Sequence, residues 1–372
     1  MPIPFLVYGD GPRLPSGLAR IARDLLLRLT PEAEELGIAV HQLGVDPPDG
    51  WHFQAWPFWG FQPDLRDQGR EALSIIVEEL RERYDAPPIV LMIMDPSRCY
   101  DLTRVEPNGA EIQANFWGYF PLDSENPHGR IDGPAADAIW ACTRVLGYGR
   151  YGSGVLQRTR YAKALHEYET LQARKVTARL AVPPVHHPVP YLPHGLDPSF
   201  RPGVPLEESG PGFVDWRAQL PADAWILGCV ATNQARKDLS LLFATASILK
   251  QQGQAVGVWL HTDRLTNAWD IGSLALAFGL ERAEVCISTA LTLLSDPQLA
   301  ARYGASTVTL GVGLGEGFGY PLVESLASGT PVMHGDFAGG AELIAHPHWL
   351  IPPAAWRLES AYGVKRPVLA PD

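Results

Sequence analysis

Residues 315–329 read GEGFGYPLVESLASG, with Glu316 and Glu324 on either side of a Gly317-Phe318-Gly319 turn. Glycines at 311, 313, 315, 317 and 319 fill five of nine positions, a costly composition for an ordered segment unless close approach to the backbone is needed. Without side chains, the Gly317 and Gly319 amides can lie against a ligand. The helix expected to start near Tyr320 points its free N–H groups and positive dipole end at the same place. A diphosphate fits such a cradle. Glu324, about one turn into that helix, can accept hydrogen bonds from a ribose diol. Glu316, on the other side of the turn, can reach whatever is attached to the far phosphate. Ribose, diphosphate and a further group make a nucleotide sugar.

Other chemistries fit these residues less well. The dinucleotide pattern G-x-G-x-x-G fails in every register here, and Gly9-Asp10-Gly11 is followed by Leu14 at the third position. The Walker pattern is absent as well. Two carboxylates can serve as a glycosidase acid and base, but a hydrolase needs no phosphate cradle, and a glutamate inside a helix is badly placed for a water-filled cleft. A plain helix start carrying two incidental acids is the remaining alternative.

The elements that must position these residues alternate along the chain. IPFLVYG (3–9) reads as a strand, followed by a Gly/Pro turn and then a helix over LARIARDLLLRL, capped by Ser16. Strands are expected at 38–43, 88–94 and 110–120, and a helix at 70–84. After AVPPVHHPVPYLPHGLDPSFRPGVP (181–205), rich in proline and turn residues, a second alternation begins. Strands are expected there at 226–232, 255–262, 285–289, 307–313 and 330–336, with helices at 237–253, 273–280, 296–305 and 320–329. This pattern predicts an α/β protein of parallel sheets with helices on both faces.

Length and composition agree. A chain of 372 residues exceeds what one core usually serves, which predicts two domains. No run of about 18 apolar residues marks a membrane span, and the N-terminus lacks the pattern of a secretory signal. Cys99, Cys142, Cys229 and Cys286 are too scattered for a zinc site or a disulfide scaffold, so a cytoplasmic protein is expected. The net charge of −11 disfavours general polyanion binding. Within it, Arg144, Arg150, Arg158, Arg160, Lys163, Arg174, Lys175 and Arg179 form a local reversal of sign, either a solvated helical face or a groove for a phosphate-rich acceptor. The aromatic run WHFQAWPFWGF (51–61) is either a loop packed on the core or a binding wall.

The segment Glu316–Glu324 resembles the E-x7-E signature of retaining GT-B glycosyltransferases of the family 4 type, which includes sucrose, mannosyl and many bacterial cell-envelope synthases. SLASGTPV (325–332) and GDFAGGAEL (335–343) resemble that family's downstream helix, strand and second glycine turn. VATNQARKDLSLL (230–242) resembles its phosphate-binding loop, and YLPHGLDPSFRP (191–202) its interdomain segment. The likeness covers most of the C-terminal half; the N-terminal half matches only in its opening strand, Gly17 and helix.

The resemblance implies a GT-B fold, two Rossmann-like doubly wound domains facing across a cleft. Its parts are an acceptor-side domain at 1–190, a hinge at 191–205, a donor domain at 206–351 and a C-terminal segment at 352–372 returning to the first domain. It implies glycosyl transfer, of a hexose or pentose, from a nucleotide diphosphate sugar with retention and with no cofactor or essential metal. Donor contacts are implied at Gly17, Thr232, Asn233, Arg236, Lys237, Gly317, Phe318, Gly319, Tyr320, Leu322 and Glu324. Lys237 and Arg236 would stabilise the leaving diphosphate as cations entering a helix, Glu316 would hold the sugar, and Asp123, in NFWGYFPLDSENPHG beside Glu125 and His128, would serve the acceptor or else merely cap a turn. Thr232 stands where the family often has arginine, and Gly313 where it often has serine. The acceptor is a saccharide, lipid or metabolite, or alternatively hydroxymethylated DNA of the phage type contacted by Arg144, Arg150, Arg158, Arg160 and Lys163. A non-catalytic scaffold is the alternative outside enzymes.

Overall fold

The computed structural model describes residues 1–14, 16–45, 55–62, 69–106, 109–173, 184–289, 294–359 and 363–370. The chain divides into two compact units, Met1–His194 and Gly195–Asp372.

The first unit runs β1 (Ile3–Asp10), α1 (Gly17–Glu32), β2 (Ile38–Val45), β3 (Phe58–Phe61), α2 (Arg70–Tyr84), β4 (Ile89–Ile93), α3 (Pro96–Thr103), β5 (Asn115–Phe120), α4 (Gly133–Ala141), β6 (Arg144–Gly147) and α5 (Arg150–Ala173). Its six strands are parallel in the order β3-β2-β1-β4-β5-β6. The apolar run of β1 buries Phe5, Leu6, Val7 and Tyr8, as a strand covered on both faces must. Ser16 caps α1, its Oγ accepting from the Ala19 amide at 3.0 Å.

The second unit runs α6 (Pro211–Gln219), β7 (Trp225–Val230), α7 (Ser240–Gln251), β8 (Val256–Thr262), α8 (Ile271–Ala277), β9 (Val285–Thr289), α9 (Asp296–Gly304), β10 (Val308–Gly311), α10 (Tyr320–Ala327), β11 (Val332–Gly335), α11 (Ala338–Ala341), β12 (Leu350–Ile351), β13 (Ala355–Glu359) and β14 (Val364–Val368). Strands β12-β11-β10-β7-β8-β9 form a second parallel sheet, and β13 and β14 an antiparallel hairpin. Residues of β7 and β8 alternate between two cores. Leu227, Cys229, Val258 and Leu260 face one, with Leu242 and Phe243; Ile226 and Trp259 face the other, with Phe213 and Tyr303.

Numbered from its own first strand, each sheet has the order 3-2-1-4-5-6 of the doubly wound fold. The order reverses between β1 and β4 in one unit and between β7 and β10 in the other. Loops leaving the carboxyl ends of those strand pairs diverge to opposite faces, which opens a ligand crevice there.

Several expectations change. The aromatic run is not all loop: Phe58–Phe61 is an edge strand, Phe61 stacks on Tyr8 at 5.7 Å and the Trp56 indole donates to Gln42 at 2.9 Å. Residues 51–54 of that run lie outside the described residues. The division between the units, after His194, falls inside the segment 191–205: the Leu192 amide bonds the Gly147 carbonyl in the first, and Leu196 and Phe200 pack into the core of the second. In the C-terminal segment, Ala355–Glu359 and Val364–Val368 pair as the hairpin within the second unit, and residues 360–362, 371 and 372 lie outside the described residues. No helix among the described residues is long and apolar enough to cross a membrane.

Candidate functional site

The loops after β7 and β10 meet at the second unit's reversal point, where Val308 and Thr309 pair with Leu227 and Gly228. The first loop turns tightly twice, the Lys237 amide bonding the Gln234 carbonyl at 2.9 Å and the Leu239 amide the Lys237 carbonyl at 2.7 Å. Helix α7 therefore begins only at Ser240. Lys237 lies three residues ahead of it, not inside its first turn as the pattern predicts, and the unfavourable end of the dipole presses on it less. Instead the loop crosses the glycine segment. Lys237 bridges to Gly313, the Leu314 amide donates to the Arg236 carbonyl at 2.7 Å, and Arg236 Nη1 donates to the Gly315 carbonyl at 3.0 Å.

This lacing brings Lys237 and Glu316 together. Lys237 Nζ donates to Glu316 Oε1, with the side chains 10% and 18% exposed. Burial on its own pushes the Glu316 carboxyl up; the charges of Lys237 and Arg236 and the Lys237 hydrogen bond outweigh it and hold the group below its ordinary value. A Cβ at residue 313 would lie 2.3 Å from Glu316 Oε1. The ion pair thus occupies the space a serine would need, a physical reason for glycine there.

Gly319 leads into α10 with φ +101°, a conformation that favours glycine. Phe318 packs edge to face on Tyr320 at 5.4 Å. Glu324 is 3% exposed, and its Oε2 accepts from the Tyr303 hydroxyl at 3.0 Å. Leu322, implied as a donor contact, puts its side chain in the core with Val332 and Ile344. The second glycine turn closes on the first: the Gly339 amide donates to the Glu316 carbonyl at 3.0 Å, and a Cβ on Gly339 would meet the Gly317 carbonyl at 2.4 Å. Beneath both, buried His334 donates from Nδ1 to the Gly311 carbonyl at 2.7 Å, so Nε2 is its unprotonated nitrogen, and burial lowers its basicity.

Thr232 is exposed at the loop's start. Asn233 is fully buried and its side chain is structural: Nδ2 donates to the Arg264 and Trp269 carbonyls, and Oδ1 accepts from the Trp269 amide. It pins the neighbouring loop rather than facing outward.

In the first unit, Gly17 opens α1, and a Cβ there would meet nothing within 4 Å. Asp123 lies three residues past β5 and accepts from the Ser124 hydroxyl at 3.0 Å. Glu125 pairs with Arg158 at 2.9 Å, and the His128 amide bonds Asn126 Oδ1 at 2.8 Å.

The basic stretch is tied internally. Arg144 lies over the Trp117 ring, Arg150 donates to the Tyr191 hydroxyl, Arg160 bonds the Cys142 carbonyl, and Lys163 pairs with Asp137. The last three contacts fasten α5 to its own unit, the first holds β6 to β5, and together they give a nucleic-acid groove no support. Arg174, Lys175 and Arg179 lie outside the described residues.

Sequence reasoning did not single out Tyr303, His334 or Arg366, whose contacts depend on folding; only the glycines of 335–343 signalled the second turn.

No protein-family model and no curated protein sequence matches the chain. Solved structures do. Sucrose-phosphate synthase from Thermosynechococcus elongatus superposes with a TM-score of 0.61 at 17% identity, covering 95% of this chain and 86% of that one. The E. coli trehalose-6-phosphate protein solved with UDP-2-fluoro glucose gives 0.60 at 12%, covering 93% and 88%. Anabaena HepE, in complex with UDP and glucose, gives 0.57 at 15%, covering 92% and 83%. The fold is GT-B. At these identities the likeness is one of architecture: two doubly wound units, each a six-stranded parallel sheet with helices, as the resemblance implies.

Proposed function

We propose that the chain is a glycosyltransferase of the family 4 type that moves a sugar, with retention, from a nucleotide diphosphate sugar to a hydroxyl of a saccharide or sugar-phosphate acceptor. The observation that carries this is the Lys237–Glu316 pair, laced to a five-glycine loop at the reversal point of a doubly wound sheet and followed by the N-terminus of α10. UDP-sugars are the first donors to consider, since the Anabaena neighbour was solved with UDP and glucose and the E. coli one with UDP-2-fluoro glucose.

In this reading the diphosphate takes the Lys237 ammonium, the Arg236 guanidinium and the amides entering α10. Glu316 turns to the sugar hydroxyls, and Glu324 to the ribose. The bond from the anomeric carbon to the phosphate oxygen breaks while the acceptor oxygen bonds the same face of that carbon. The acceptor proton passes to the departing phosphate oxygen. Charge building on the leaving group is stabilised by cations already in place, which is where preorganised electrostatics gains most. Because Lys237 and Arg236 supply that charge, no metal is essential, and activity should survive EDTA.

A thermal-shift screen of UDP-, GDP- and ADP-sugars tests the reading. The stabilising donor is then incubated with sugars and sugar phosphates, and products are read by mass spectrometry and anomeric NMR. A product with the donor's anomeric configuration is expected; an inverted product removes the retaining assignment, and stabilisation by none of the donors removes the function.

A further inference from the structure

The glycine loop is held by its carbonyls. Gly311 O accepts from His334, Gly315 O from Arg236 and Glu316 O from the Gly339 amide, all donors from elements next to the loop. Leu314 O accepts from elsewhere, from Nη1 of Arg366 at 3.3 Å, on strand β14 of the C-terminal hairpin. Three consecutive carbonyls, 314 to 316, are thus each taken by a different part of the chain.

Arg366 is an expensive residue for a hairpin. It is 6% exposed, and its cross-strand neighbour is Arg357, a like charge directly opposite. Its Nε donates to Glu359 Oε2 at 2.8 Å, which offsets part of the charge and aims the guanidinium. Val364, on the same strand, is buried without any of this cost. The hairpin also touches the second glycine turn: Trp356 packs edge to face on Phe337 at 6.3 Å, and Phe337 lies 5.4 Å from His334. One two-stranded element therefore reaches both glycine turns of the site, by a hydrogen bond to the first and by a ring to the second.

We propose that the β13–β14 hairpin is a brace for the donor-binding loops, with Arg366 as a positioning residue that fixes the Leu314 carbonyl and through it the amides of Gly317–Gly319. The part that concerns the donor rests on the reading of this site as a nucleotide-sugar site. A loop with five glycines loses much conformational entropy when ordered, and a ligand must supply what the fold does not. Arg366 orders the loop in advance, so its loss weakens binding more than it slows the chemical step.

Arg366→Ala, Arg366→Gln and Arg366→Lys are compared with wild type by hydrogen exchange across 312–319 and across β8, by titration with UDP and UDP-glucose, and by steady-state kinetics. Arg366→Ala should lose protection in 312–319 but not in β8, weaken UDP about tenfold and raise KM in proportion with kcat changed less than threefold. Arg366→Lys, which keeps one charged donor, should recover part of the affinity; Arg366→Gln should not. Unchanged exchange in 312–319 overturns the brace, as does equal loss of protection in β8 for all three variants. If wild type binds neither UDP nor UDP-glucose, the donor reading fails, while the exchange comparison still decides whether Arg366 orders the loop.

Discussion

Lys237 and Glu316 form a nearly dry ion pair, so each sets the other's environment. Replacing either by alanine leaves the other charge poorly solvated and, on the proposed reading, removes the phosphate cation or the group that holds the sugar. Turnover should fall at least tenfold in Lys237→Ala and in Glu316→Ala, with far-ultraviolet circular dichroism unchanged; normal rates in both would remove them from the reaction. Glu316→Gln separates the two roles. It frees Lys237 from its carboxylate, so UDP alone should bind at least as tightly as to wild type, while sugar transfer drops. Tyr303→Phe removes one hydrogen bond to Glu324. That should cost about 1 kcal/mol in unfolding free energy by urea titration, as a single buried bond does.

A close approach at the glycine segment was readable, because glycine at alternate positions says that something must come close, and the capping residue Ser16 places the start of α1 correctly. The start of α7 was not readable. Its apolar period runs on through Lys237-Asp238-Leu239, but the backbone there is spent on turns that bond to the glycine loop. Nor could β3 be seen, because four aromatic-rich residues carry a strand's period no more clearly than a packed loop's. Arg366 and His334 stayed hidden for a different reason: their partners are main-chain carbonyls far along the sequence, which leave no trace in side-chain spacing. The fit between the two glycine turns gives its own expectation. Gly339→Ala places a Cβ 2.4 Å from the Gly317 carbonyl, and backbone cannot step aside as a side chain can. Nucleotide affinity by calorimetry should fall at least tenfold, whereas Gly17→Ala, whose Cβ meets nothing of the protein, should leave the melting temperature unchanged.

Folding buries two histidines of the first unit as neutral rings. Burial, then the charge of Arg83, lowers His41 to about 4, and burial, then Arg20, lowers His194 to about 3. Below about pH 6.5 the unfolded chain takes up protons that these rings refuse in the fold, so stability is full above that value. It falls with pH down to the folded values. Denaturation curves from pH 7 to 4 should show this slope, and His41→Gln should flatten it; a slope unaltered by the change would assign acid sensitivity to other groups. The thiols of Cys142 and Cys229, pushed up to about 12 by burial, take no part in this range. The crevice of the second unit rests on that unit's own core, where Leu227 and Leu310 of the reversal-point strands are buried. Calorimetric titration of UDP-glucose into wild type and Lys237→Ala, side by side, bears on that crevice without needing the acceptor. Saturable one-to-one binding to wild type, weakened at least tenfold in the variant, is the expected result; equal affinity in the two proteins would contradict a diphosphate held by Lys237 at the head of the glycine loop.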